Sequence, residues 1–246
     1  DTRYLEDVKN ILKQYNLTLT GINQHIGSLF MESTPYIEGI QSLLNIAMDF
    51  KDLEFIDLGG GFGIPYNKLS GEERLDMELL GNQLDEVIHS FVKDYGREIN
   101  FQMEPGRYIV AESSILLGTT HTIKYNYGKK YVGTDIGFNV LQRPMIYDAY
   151  HDIEIYRSEG IASSKNEKVT IVGNICESGD ILANSRMLPE IFEGDVLGVM
   201  DAGAYGFSMA SNYNHRLRPA EILITPEGDA RIIRKRDTFE DLIRHF

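Results

Sequence analysis

A thiol and two carboxylates occur together in a short segment of the second half of the chain. The segment reads Cys176-Glu177-Ser178-Gly179-Asp180, and Cys176 is the single cysteine of the sequence. A thiol can donate a proton or act as a nucleophile, and a carboxylate can bind an amine. Because crowded ionisable groups are costly unless something compensates them, this grouping predicts a ligand-facing turn. A lone cysteine is otherwise most often a buried small hydrophobic residue.

A phenol lies between glycines in the next polar segment, which reads Gly203-Ala204-Tyr205-Gly206. Since glycine carries no side chain, we expect its neighbours to leave room for a ligand beside Tyr205.

The first half of the chain has three further polar segments, and each follows an apolar run. Gly59-Gly60-Gly61 follows the run that ends at Leu58, and such a triplet can aim backbone N–H groups at a phosphate or simply form a tight turn. The segment from His25 to Ser28 follows the preceding run, and Glu104-Pro105-Gly106-Arg107 follows the next one. Barrel enzymes build their sites at the carboxyl ends of parallel strands, so the three segments predict one site.

Helices and strands alternate as far as about residue 113. Helical spacing of apolar residues occurs over 3–15, 35–50 and 71–95, and strand-like runs over 17–22, 53–57 and 99–103. Such alternation predicts a parallel sheet with helical crossovers. A complete (β/α)₈ barrel takes roughly 250 residues, so only about three of its strands fit here.

Short β-rich runs with polar turns replace this pattern after about residue 113. They cover 114–125, 130–135, 153–156, 168–172, 195–199, 220–224 and 230–233. The predicted fold class is therefore α/β plus β, with either an incomplete barrel or an open α/β layer over 1–113 and a mostly antiparallel β-domain over 114–246.

Composition restricts the partners. The net charge of −13 disfavours nucleic acid and anionic membranes, and no run approaches the roughly 18 apolar residues of a membrane span. The charged opening is unlike a signal peptide, so we expect a cytoplasmic protein. One cysteine excludes an internal disulfide, and no Cys/His spacing suggests a metal site.

From about Leu19 to the last helix, these motifs resemble the barrel-fold pyridoxal-phosphate-dependent decarboxylases of the ornithine, diaminopimelate and arginine type. The likeness is greatest to the diaminopimelate decarboxylases, and it implies decarboxylation of meso-diaminopimelate to L-lysine, a step of lysine biosynthesis. It also implies pyridoxal 5'-phosphate as cofactor and a homodimer with a shared active site.

The resemblance further implies a role for each site residue. His25 stacks on the cofactor ring and counts with Cys176 as catalytic, whereas Glu104 meets the ring nitrogen. The remaining cofactor-binding residues are Ser28, Gly59, Gly60, Gly61, Gly106, Arg107 and Tyr205. The substrate-binding residues are Arg107, Arg143, Tyr147, Glu177 and Tyr205. Cys176 assists protonation after carbon dioxide leaves, and the family usually has a second histidine where this chain has Asn23.

The cofactor lysine of the family belongs to an N-terminal barrel segment that has no counterpart in this sequence. We therefore expect an enzyme fragment that is inactive alone, and a non-catalytic homologue that acts as an interaction module is the alternative. Decarboxylases of ornithine, arginine or a carrier-bound glutamyl group are alternatives within the enzyme class.

Overall fold

The computed structural model describes residues 2–157 and 165–246. The chain divides into two compact units. The first contains residues 1–65 and 73–109, and the second contains residues 66–72 and 110–246. The domain boundary that we predict at residue 113 stays a prediction, because a division into compact units does not test where the barrel domain ends and the β-domain begins.

The first unit is a parallel sheet with helical crossovers. Its helices are α1 (Leu5–Gln14), α2 (Ser33–Ala47), α3 (Met77–Tyr95) and most of α4 (Gly106–Val110), and its strands are β1 (Gly21–Asn23), β2 (Phe55–Gly60) and β3 (Asn100–Glu104). The strand order is β1-β2-β3, and both pairs are parallel. This is the arrangement that the alternating pattern predicts.

The core of this unit lies around the central strand β2. Ile56 and Leu58 are buried on β2, and α2 contributes a buried stripe at helical spacing that includes Tyr36, Ile40 and Leu44. Helix α3 begins where the Asp76 carboxylate accepts a hydrogen bond from the Leu79 N–H and ends at Gly96. Capping and burial together therefore fix the helix that leads into β3.

The second unit is built on a six-stranded sheet. Its strands are β4 (Leu116–Asn126), β5 (Lys129–Thr134), β6 (Ile153–Tyr156), β7 (Asn166–Val172), β8 (Ile181–Pro189) and β9 (Val196–Val199), in the order β6-β9-β4-β5-β7-β8. Among the strand pairs of this sheet within the described residues, only β5–β7 is parallel. A hairpin of β10 (Glu221–Ile224) and β11 (Ala230–Arg234) follows, and the short helices are α5 (Arg143–Tyr147) and α6 (Phe239–Ile243).

The parallel pair has one consequence for the site. Gly133 of β5 lies opposite Val172 of β7, so both strands end at the same edge of the sheet. The loop over 135–142 and the loop over 173–180 therefore leave the sheet side by side.

No helix within residues 2–157 and 165–246 is long and apolar enough to cross a membrane.

Candidate active site

The glycine triplet at the end of β2 lies where three backbone segments converge. A Cβ atom on Gly59 would lie 2.1 Å from the Gln24 carbonyl oxygen, and one on Gly60 would lie 2.2 Å from the Glu104 carbonyl oxygen. Gly59 and Gly61 also have φ values of +75° and +104°. Packing and backbone conformation thus both require glycine here, whether or not the triplet also binds a phosphate.

His25 is held at this edge by the same triplet. The Gly60 N–H donates to His25 Nδ1 over 3.3 Å, so in the neutral imidazole the hydrogen is on Nε2. The side chain is exposed, as is that of Ser28 three residues later. The edge therefore presents a ring of fixed tautomer and a hydroxyl to solvent.

Glu104 ends the neighbouring strand β3. It is opposite Gly60 in the parallel register, and its side chain is exposed. Gly106 begins α4 with no atom within 4 Å of the place where a Cβ would be, and Arg107 follows half-buried. Hence open space lies beside Gly106, in contrast to the triplet.

The loop over 173–180 in the second unit carries Cys176 and Glu177, and both side chains are exposed. Asp180 differs, because it is only 4% exposed and its two carboxylate oxygens accept the N–H groups of Phe138 and Ile175, each over 2.7 Å. Burial raises the pKa of Asp180, and the two backbone hydrogen bonds act against that shift. The expectation that both carboxylates of this segment face a ligand is therefore wrong for Asp180.

Arg143 is buried at the start of α5 with 4% of its surface exposed. Its Nη1 donates to His151 Nε2 over 2.7 Å, and its guanidinium lies 4.2 Å from the centre of the Tyr66 ring. His151 Nδ1 in turn donates to the Met200 carbonyl oxygen over 2.7 Å. Tyr147, at the end of the same helix, is exposed. The segment from Arg143 to His151 resembles a family segment in which the arginine and the tyrosine have a role, and the resemblance implies none for this histidine.

Tyr205 is exposed and has a φ of +56°. A Cβ on Gly203 would lie 1.9 Å from the Val110 carbonyl oxygen, and one on Gly206 would lie 2.4 Å from that of Ala202. The backbone thus occupies the space at both glycines, contrary to the expectation that they leave room for a ligand.

Lys68 joins two carboxylates near this segment. Its Nζ lies 2.7 Å from Asp201 Oδ1 and 2.8 Å from Glu112 Oε1. Partial burial lowers the pKa of Lys68, but the hydrogen bonds to Asp201 and Glu112 outweigh that effect and raise it. Asp201 is buried, so this lysine compensates its charge and fixes the start of the Tyr205 turn.

In the parts of the chain that the structure describes, no group of three or more His, Cys, Asp or Glu side chains is placed to hold a metal ion.

Two family comparisons cover most of the chain. Residues 2–111 match the pyridoxal binding domain of the pyridoxal-dependent decarboxylases, and residues 107–203 match their C-terminal sheet domain. The chain belongs to the pyridoxal-dependent decarboxylase family. The family and the fold class predicted from the sequence, the C-terminal part of a pyridoxal-phosphate-binding barrel followed by a β-domain, are confirmed.

Several relatives of this chain are diaminopimelate decarboxylases. The chain is 44% identical over 230 residues to the diaminopimelate decarboxylase of Methanothermobacter thermautotrophicus, with 91% of this chain and 52% of the relative covered. A crystal structure of the Methanocaldococcus jannaschii enzyme with L-lysine matches with a TM-score of 0.86 and 35% identity, covering 98% of this chain and 55% of that one.

The diaminopimelate decarboxylase of Helicobacter pylori, also solved with L-lysine, matches with a TM-score of 0.84 and 33% identity, covering 99% and 58% of the two chains. The chain therefore spans about half the length of these relatives.

Proposed function

We propose that the whole protein decarboxylates meso-2,6-diaminopimelate to L-lysine and carbon dioxide with pyridoxal 5'-phosphate as cofactor. The observation that carries this proposal is the 44% identity to a diaminopimelate decarboxylase over 91% of this chain. Two solved relatives of the same name hold L-lysine, which is the product that the proposal requires.

The side chains at the carboxyl edge of the first unit fit the cofactor. The exposed His25 ring, with Nδ1 already bonded to Gly60, offers a flat face for stacking. The exposed Glu104 carboxylate is suited to keep a pyridine nitrogen protonated, and the space beside Gly106 admits a ligand. When bound, pyridoxal phosphate accepts the electrons of the bond between Cα and the carboxylate.

The phosphate roles follow from the resemblance. Ser28 donates its hydroxyl, and Arg107 and Tyr205 complete the cofactor contacts. The triplet Gly59, Gly60 and Gly61 contributes backbone N–H groups, and a phosphate there replaces the bonds that the Gly59 and Gly60 N–H groups make to Asp57 Oδ1 and His25 Nδ1. We retain these roles as proposals, with one restriction from the structure. The triplet must bind the phosphate through its backbone while its Cα atoms stay packed on Gln24 and Glu104.

The substrate has an amino-acid group at each end. At the distal end, Arg107, Arg143 and Tyr147 bind the carboxylate, and Glu177 binds the ammonium group. A planar guanidinium suits a carboxylate because it donates two parallel hydrogen bonds. Ornithine and arginine have no carboxylate at the distal end, and this distinguishes them from diaminopimelate.

Cys176 donates a proton from Sγ to the carbon that has lost carbon dioxide and takes up a proton again before the next turnover. Exposure of the thiol at the tip of its loop is compatible with this role. By the resemblance, Cys176 and Glu177 of one subunit serve the barrel of the other, so we propose a homodimer with a shared active site. The cytoplasmic location stays a prediction.

A substrate panel tests the proposal. The whole protein, supplied with pyridoxal phosphate, is assayed for carbon dioxide release from meso-diaminopimelate, ornithine, arginine and lysine. We expect release from meso-diaminopimelate alone. Preferential release from ornithine or arginine would assign the protein to another branch of the family, and no release from any would favour the non-catalytic alternative.

A further inference from the structure

The loop that carries Cys176 and Glu177 is fixed from within. It connects β7 to β8, whose end residues Val172 and Ile181 are paired. Its own backbone hydrogen bonds are local: the Gly173 N–H donates to the Asp180 carbonyl over 3.0 Å, the Glu177 N–H to the Ile175 carbonyl over 2.8 Å, and the Asp180 N–H to the Glu177 carbonyl over 3.1 Å. Such short local bonds close turns but do not set where the turn lies on the sheet.

Asp180 supplies that placement. Its Oδ2 accepts the N–H of Ile175, the residue directly before Cys176, and its Oδ1 accepts the N–H of Phe138 in the neighbouring loop. The two loops leave the same edge of the sheet because β5 and β7 are parallel. One buried carboxylate thus ties the backbone next to Cys176 to a second segment.

Two glycines make room for this carboxylate. A Cβ on Gly173 would lie 2.3 Å from Asp180 Oδ2, and one on Gly137 would lie 2.9 Å from the same oxygen. Neither glycine has a positive φ, so close approach rather than backbone conformation requires them. The pocket around Asp180 is therefore built from both loops.

The outer side of the loop is held as well. Asn174 Nδ2 donates to the Asp135 carbonyl over 2.8 Å, and an Arg216 guanidinium N–H donates to the Asn174 carbonyl over 3.0 Å. The Arg216 charge also acts against the rise in the pKa of Asp180 that burial causes. Neutralising Asp180 therefore weakens the two hydrogen bonds that its carboxylate accepts from the Phe138 and Ile175 N–H groups.

We propose that Asp180 is a positioning residue for the decarboxylation. Through the Ile175 N–H it fixes the backbone from which Cys176 delivers its proton and Glu177 meets the substrate amine. This inference rests on the proposed function for its catalytic consequence, whereas the anchoring of the loop is a property of the structure alone.

Asp180→Asn in the whole protein tests the inference. Asparagine keeps the size and one acceptor oxygen, but its NH₂ group then faces one of the two N–H donors. We expect amide hydrogen exchange over residues 173–180 to become at least about tenfold faster. We also expect kcat on meso-diaminopimelate to fall at least about tenfold.

The matched control is Asp195→Asn. Asp195 is likewise buried in the second unit and accepts a backbone N–H, that of Phe192 over 2.8 Å, but it pairs with Arg157 in another loop. We expect this variant to leave exchange over 173–180 and kcat within about twofold of wild type, even where it lowers overall stability.

A double-mutant cycle separates positioning from general damage. In a Cys176→Ala background, Asp180→Asn should reduce kcat by less than about threefold further, since the thiol that it positions is gone. An equal loss with and without Cys176, or unchanged exchange over 173–180, would overturn the inference. If Asp180→Asn does not fold, Gly137→Ala displaces the carboxylate without removing its charge and should show the same pattern. Lack of carbon dioxide from every wild-type assay refutes the proposed function instead, and the exchange comparison still decides the anchor.

Discussion

Replacing Arg143 by methionine separates substrate recognition from packing. Methionine has a similar length and keeps apolar contact with Tyr66, but it removes the charge and the donor to His151. If the guanidinium binds the distal carboxylate, the variant loses a charge-assisted hydrogen bond worth about 1.5–3 kcal/mol. That energy corresponds to a loss of roughly 10- to 150-fold in kcat/KM for meso-diaminopimelate.

Two inhibitors give the assay its selectivity. L-Lysine retains the carboxylate that Arg143 is proposed to bind, whereas 1,5-diaminopentane lacks it. The inhibition constant of L-lysine should rise by the same roughly 10- to 150-fold, and that of the diamine should change little. The two constants are measured side by side on wild type and variant.

Arg186→Met is the matched control for this experiment. Arg186 also lies over a tyrosine, 3.6 Å from the ring centre of Tyr150, and donates to a backbone carbonyl, that of His151. Both variants lose a cation–π contact of about 0.5–2 kcal/mol, so both should unfold more easily. Arg143 would have a packing role only if both inhibition constants rose equally in Arg143→Met. The same conclusion would follow if the inhibition constant of L-lysine rose as much in Arg186→Met as in Arg143→Met.

Three further variants or pairs of variants test the glycine packing, an ion pair and the shared site. Gly60→Ala should lower the free energy of unfolding by about 1–3 kcal/mol because its Cβ would meet the Glu104 carbonyl. The control Gly81→Ala, in open space on α3, should raise this free energy by about 0.5–1 kcal/mol. Urea unfolding measures both, and an unchanged stability of Gly60→Ala would contradict the packing. Hydrogen bonding to Arg218 lowers the pKa of Asp237 from 3.8 to about 2, so this ion pair stabilises the folded state above about pH 4 and ceases to do so as the pH falls through 2. The difference in unfolding free energy between wild type and Asp237→Asn should therefore shrink over that range. A constant difference would count against the pairing. Cys176→Ala and Glu104→Ala should each have low activity, and mixing the two proteins should restore up to about a quarter of wild-type activity through hybrid dimers; no recovery would argue against a shared site.

The parallel sheet follows from the sequence because its strands are short runs separated by stretches of helical periodicity. The strand order β1-β2-β3 comes from the structure alone. Strand β1 begins later than expected, at Gly21 rather than Leu17, since its partner β2 begins only at Phe55 and pairs with Gly21. The sequence pattern does not predict strand β8. Its residues Asn184, Ser185 and Arg186 interrupt the alternation, and a register shift there gives Ser185 a φ of +50°.

The exposed site residues were predictable because motif and resemblance both mark them. The buried residues that hold these side chains in place were not predictable. Asp180 and His151 act through contacts with Phe138 and Met200, which lie more than forty positions away in the sequence. Only the pairing of strands brings these segments together, and a single sequence does not reveal which loops share an edge.

The most direct test of the central claim is the product balance of the whole protein on meso-diaminopimelate. Purified protein with pyridoxal phosphate should form one L-lysine for each carbon dioxide released, and Glu104→Ala should lose most of this activity because its carboxylate is proposed to hold the ring nitrogen protonated. Formation of carbon dioxide without L-lysine, or full activity in Glu104→Ala, would contradict the account.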